Sequence, residues 1–166
     1  MILLRVFWDI CWGTKGPQDL PSSRFLVTLV LITNSIAELV IVLVETTLSK
    51  GFPQVLLSMA WLIGYCYLIL MYSGKVARFQ QTLTALLGTD IVVSAIAFPF
   101  LIAMKGGTGM PMTYFIVIGL MCWRMIIIGH ILRHALSTSH GLGLGLALLY
   151  ILGFYELMEY FFKVPV

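Results

Sequence analysis

Five long apolar runs, separated by short polar breaks, take up most of the 166 residues. About 20 apolar residues in a helix cover the roughly 30 Å of hydrocarbon in a bilayer. The pattern therefore predicts an all-α polytopic membrane protein with spans at about 25–48, 54–72, 80–104, 112–135 and 142–162. The breaks carry the residues that end helices. Gly16-Pro-Gln-Asp-Leu-Pro21 precedes the first span, with Ser22 or Ser23 placed to cap it. Lys50, Gly51 and Pro53 predict a tight turn, Ser73–Arg78 a short basic connection, and Leu136–Gly141 a return. Lys105-Gly-Gly-Thr-Gly-Met-Pro111 predicts the longest and most flexible loop. Pro99 removes one backbone hydrogen bond inside the third span and predicts a kink near the Ala95 carbonyl.

Residues 1–23 form a lead of a different kind, and 24–163 the five-helix domain. Met1–Trp12 is apolar but broken by Arg5 and Asp9 and has no small-residue cleavage site, so it is expected to be retained. Trp8 and Trp12 beside those charges suit a short interfacial helix.

Composition supports the same class: 60% hydrophobic, 10% charged and a mean hydropathy of +1.02 lie outside the soluble range. The formal charge of +3 is scattered and forms no basic stripe with interleaved aromatics, which excludes nucleic acid as a partner and leaves lipids and other membrane subunits. Arg5, Lys15, Arg24, Lys75, Arg78 and Arg133 fall on one side of the membrane, and Lys50, Lys105 and Lys163 on the other. Positive residues stay inside, so the expected setting is a bacterial inner membrane with the N-terminus cytoplasmic and the C-terminus external. Cys11, Cys66 and Cys122 are odd in number and give no disulfide framework.

Three spans hold an ionisable residue near the middle: Glu38, Asp90 and Arg124. Each costs roughly 2.5–3.5 kcal/mol at a bilayer midplane, which makes this polar centre the first place to look for function. Asn34, Ser35, Glu38 and Glu45 share one side of the first span, and Asp90 and Ser94 a face of the third. Arg124 has only apolar helical neighbours, so its partner must come from another helix, Asp90 first and Glu38 second. Such a pair serves to fix helix register; a proton or ion relay and contact with a partner subunit are the alternatives.

Other candidates are weaker. His130 and His134 share a helix face, but two histidines alone make an incomplete metal site, so no metal and no cofactor is expected. Arg133 and this histidine pair suit headgroups or a closed cytoplasmic surface. Glu45, Glu156 and Glu159 either coordinate a cation or reach interfacial water, Glu159 with Lys163 one turn away. Gly141 and Gly145 form a small-residue pair that lets helices approach closely, within the chain or toward a partner. No nucleophile elbow, zinc-protease motif or phosphate loop occurs, so an enzyme is not expected.

Pro17-Gln-Asp-Leu-Pro21, the five closely spaced spans, Arg78-Phe-Gln-Gln-Thr-Leu-Thr-Ala-Leu-Leu-Gly88 and Ala-Phe-Pro99 together make the chain resemble small bacterial Yip1-like membrane proteins. The resemblance covers most of the length. Eukaryotic members act in membrane trafficking through protein contacts, and bacterial relatives imply no settled activity, so no site residues carry over. The expectation is a non-enzymatic scaffold or accessory subunit of a larger inner-membrane complex. The alternative is a small oligomeric transporter coupled to protons or ions through Glu38 or Asp90.

Overall fold

The computed structural model describes residues 2–106 and 111–162. They form six α-helices and no strand: α1 (Ile2–Cys11), α2 (Arg24–Glu45), α3 (Leu48–Tyr72), α4 (Phe79–Lys105), α5 (Pro111–Leu136) and α6 (His140–Phe162). The last five are long and apolar enough to cross a membrane. Single 3-10 turns at Pro17–Asp19 and Val76–Arg78 lead into the bundle and join α3 to α4.

Local chemistry explains most boundaries. Ser23 caps α2, its hydroxyl accepting from Leu26 N–H at 3.4 Å. Gly74, at φ 68°, supplies the left-handed residue that ends α3. The turn expected at Lys50–Pro53 lies elsewhere: Thr46 and Thr47 alone separate α2 from α3, and Pro53 sits inside α3. Pro53 is the sixth residue of α3, past the first turn, and leaves the Ser49 carbonyl without its backbone donor; a neighbouring glycine explains the tight return. A Cβ on Gly51 would lie 3.1 Å from Val42 and 3.3 Å from Thr46, so glycine permits the close approach to α2 without displacing those side chains. Helix α4 runs through Pro99 to Lys105. Of the expected flexible loop, Lys105 ends α4 and Pro111 opens α5, while residues 107–110, like Lys163, lie outside the described residues.

Helix α4 is the hub, in contact with α1, α2, α3 and α5, while α6 packs on α5 and α3. Its residues from Thr82 to Thr89 are buried without a break. Three threonines enter this core because each hydroxyl donates to the carbonyl one turn back: Thr82 to Arg78 at 2.9 Å, Thr84 to Gln80 at 2.7 Å and Thr89 to Ala85 at 2.8 Å.

The lead is packed into this structure. Phe7, Ile10 and Cys11 are buried, and the ring of Phe7 occupies the space where Gly88 of α4 lacks a side chain. Trp123 Nε1 donates to the Cys11 carbonyl at 3.2 Å, and Gln81 Nε2 donates to the Leu20 carbonyl at 2.8 Å. Burial pushes the Cys11 thiol up to about 11. The connections at Tyr72–Phe79 and Leu136–His140 lie at this same end. There Lys75 Nζ donates to the Leu136 carbonyl, and Arg78 Nη1 donates to the Ala135 carbonyl at 3.0 Å, so two cations cap the C-terminus of α5.

Packing is tight toward this end and loose toward the other. The last buried residue is Asn34 in α2, Val93 in α4 and Tyr150 in α6, and α5 buries only Val117 before Ile127, while α3 alone stays buried as far as Val55 and Gly51. The polar centre lies where the tight half stops.

Candidate functional site

All five spans contribute to one cavity. Asn34 and Glu38 come from α2, Ser58 from α3, Thr89 and Asp90 from α4, Arg124 from α5 and Tyr150 from α6. Its volume is about 30 Å³, enough for one or two waters at the roughly 10–15 Å³ each needs.

Arg124 Nη2 lies 2.7 Å from Asp90 Oδ1. Oδ1 has no donor aligned on it, so the contact is an ion pair and not a directed hydrogen bond. Oriented to satisfy its neighbours, the Asn34 amide donates to Asp90 Oδ2 and to the Leu87 carbonyl, both at 3.3 Å. One carboxylate therefore ties α2, α4 and α5 together. Asn34 is only 1% exposed, so an amide left without these acceptors would be costly.

Arg124 lies on the inward stripe of α5, in helical register with the buried Val117, Ile127, Ile128 and Ile131. Its side chain is nevertheless 46% exposed, against 18% for Asp90. The guanidinium thus faces a crevice that opens toward the loosely packed half. At roughly 18 Å from either end of α5 it is too deep to reach an interface along its own stem.

Glu38 faces Ser58 across the cavity, and among the described residues no cation lies within ion-pair distance of it. The Ser58 hydroxyl lies 2.9 Å from the Val55 carbonyl, to which it donates. Tyr150 closes the α6 side. Its carbonyl accepts from Trp61 Nε1 at 3.2 Å, and its ring lies 5.2 Å from Tyr65 and 6.5 Å from Phe154.

The remaining candidates stand apart from this centre. The His130 and His134 rings are 4.4 Å apart, and His130 Nε2 donates to the Lys15 carbonyl at 2.9 Å. That bond holds the lead on α5. No group of three His, Cys, Asp or Glu suited to a metal occurs among the described residues. Glu45, Glu156 and Glu159 are exposed and do not converge. Cys122 is exposed, while Cys11 and Cys66 are buried, all as free thiols.

The glycine pair is corrected by the structure. Added Cβ atoms on Gly141 and Gly145 would meet nothing within 4 Å, so neither packs within the chain. Gly143, two residues from each and on the opposite side of α6, does: its Cβ would lie 2.5 Å from the Gly129 carbonyl and 2.9 Å from Arg133 Cβ. Facing it, Gly129 receives Leu144. The five-residue glycine pattern holds two faces, and the inward one is the single middle residue.

Sequence reasoning passed over Asn34 as a ligand of Asp90, Ser58 as the neighbour of Glu38, and Tyr150. Tyr150 carried a visible signal as a polar ring following an unbroken Gly, Leu and Ala run. Ser58 and Thr89 carried none, since isolated hydroxyls in spans satisfy themselves on their own helix.

Comparison with known proteins found no matching family model, no matching curated protein and no matching solved structure.

Proposed function

We propose that this chain is a non-enzymatic membrane scaffold or accessory subunit that packs against a larger complex in a bacterial inner membrane. The observation that carries this reading is the pairing of the Arg124 guanidinium with the Asp90 carboxylate of another helix. Arg124 Nη2 pairs with Asp90 Oδ1 and the Asn34 amide donates to Asp90 Oδ2, beside a cavity with room for one or two waters. Their charges then serve as ties between helices, and the partner-facing work falls to the outer surfaces. The open Gly141 and Gly145 on α6 allow another helix to approach closely.

Gentle detergent extraction of the full chain, followed by identification of co-purifying proteins, tests this. A defined set of integral membrane proteins should co-purify, and Gly141→Leu with Gly145→Leu should reduce their recovery about tenfold at unchanged accumulation of the chain. Purification of the chain alone as a homo-oligomer overturns it.

A second reading rests on Glu38, which lines the cavity with no cation at ion-pair distance, beside a half-exposed Arg124. An acid so placed suits a proton-coupled carrier opening toward the loosely packed half. Proton flux into vesicles that contain only this chain, abolished by Glu38→Gln, selects this reading over the first.

A further inference from the structure

At the tightly packed end, away from the polar centre, a second cavity of about 340 Å³ opens between the lead, the α3–α4 connection and the α5–α6 turn. It is lined by Gln18, Arg78, Arg133, His134, Ser137 and Thr138, a set with two guanidinium groups, an amide and two hydroxyls, and no carboxylate.

Both arginines are held in place by bonds that use only part of their donor capacity. Arg78 Nη1 donates to the His134 and Ala135 carbonyls at 3.3 and 3.0 Å and lies 3.0 Å from the Ser137 hydroxyl. Arg133 Nη1 donates to His140 Nδ1 at 3.2 Å. Among the described residues, no hydrogen bond engages Nε or Nη2 of either arginine. A guanidinium has five N–H donors, so each retains a fork for an anion without losing its present contacts. Thr138 Oγ1, a wall of the same cavity, is buried and has no hydrogen-bond partner. The nearest acid bearing on His134 is Asp19, whose Oδ2 already accepts from Gly16 N–H at 2.8 Å.

Position adds to the chemistry. The cavity lies beside the first turn of α4 and the last turn of α5, where a span leaves the hydrocarbon. Two fixed guanidinium groups flanked by an amide and hydroxyls suit a phosphate, whose free oxygens match the guanidinium fork.

We propose that Arg78, Arg133, Gln18 and Thr138 bind a phosphate group at this end of the bundle, carried by an anionic phospholipid or free in solution. This inference is independent of the role proposed for the polar centre. Arg133 is the discriminating residue, because Arg78 also caps α5 and its loss would disturb the fold.

The test uses the purified full chain in neutral detergent, with native mass spectrometry after addition of phosphatidylglycerol or phosphatidylcholine, and thermal unfolding with inorganic phosphate or chloride at equal ionic strength. Preferential retention of phosphatidylglycerol, reduced about tenfold in Arg133→Gln and in Gln18→Ala, identifies a lipid phosphate. Stabilisation by inorganic phosphate over chloride, lost in the same variants and without lipid preference, identifies the free ion. Circular dichroism establishes that both variants are folded. Equal retention of both lipids with no phosphate effect overturns the proposal, as does an effect that survives both substitutions.

Discussion

Asp90 is the residue on which most of the interior depends. It neutralises Arg124 at 2.7 Å and accepts from Asn34, so its loss strands a cation and a 1% exposed amide together. Loss of Arg124 leaves a carboxylate that takes up a proton, an escape closed to a guanidinium. Asp90→Ala should therefore lower accumulation and thermal stability more than Arg124→Ala does, by up to the roughly 3–5 kcal/mol typical of a broken buried pair, less the solvent screening that a 46% exposed side chain receives. Quantitative blotting of membranes and detergent thermal shifts measure the difference; equal tolerance of the two substitutions would remove Asp90 from its place at the centre. This contact was legible because Arg124 had no acceptor on its own helix and Asp90 lay at matching depth. Asn34 was not, since an amide in a span can equally bond to its own backbone, and only the crossing of α2 and α4 decides otherwise.

For the helices, hydropathy located every span, and the corrections concern how pairs of helices touch. Gly51, Gly141 and Pro53 read as turn residues in sequence, yet all three are helical. The same small side chain that loosens a turn also admits a neighbouring backbone, and sequence alone cannot separate the two uses. Gly143 offers the sharpest test. A Cβ there meets the Gly129 carbonyl, a backbone atom that cannot swing aside, so Gly143→Ala should force α5 and α6 apart. A cost of about 1–3 kcal/mol is expected for such overpacking. Gly141→Ala and Gly145→Ala, with nothing in the way, should match or exceed the parent's thermal stability, since alanine favours the helix. Destabilisation by all three alike would mean that α6 is rotated from the position described.

Taken whole, the molecule is an asymmetric bundle, dense at the end that carries α1 and open beyond Asn34, Val93 and Tyr150. Five spans and a helical lead were legible from the runs and breaks of the chain; this gradient was not, because the outer halves are as apolar as the inner ones and differ only in what they meet. Helix α1 is seated by Phe7 in the notch at Gly88, together with the bond from Trp123 to the Cys11 carbonyl. Gly88→Ala should eject α1 and expose Cys11 to maleimide labelling, and Phe7→Ala in the same chain should restore part of the protection. Absence of any rescue in that double-mutant cycle would show that the two positions are uncoupled.

The seat of that helix also orders events in time. Phe7 binds α4, and Cys11 and Lys15 bind α5 at positions 112 and 115 residues further along the chain, surfaces that a ribosome makes much later. The first segment to emerge must wait, amphipathic and unhoused at the membrane surface, until the fourth span has been inserted. A bulky tag fused ahead of Ile2 would burden this late docking step while leaving insertion of the spans intact.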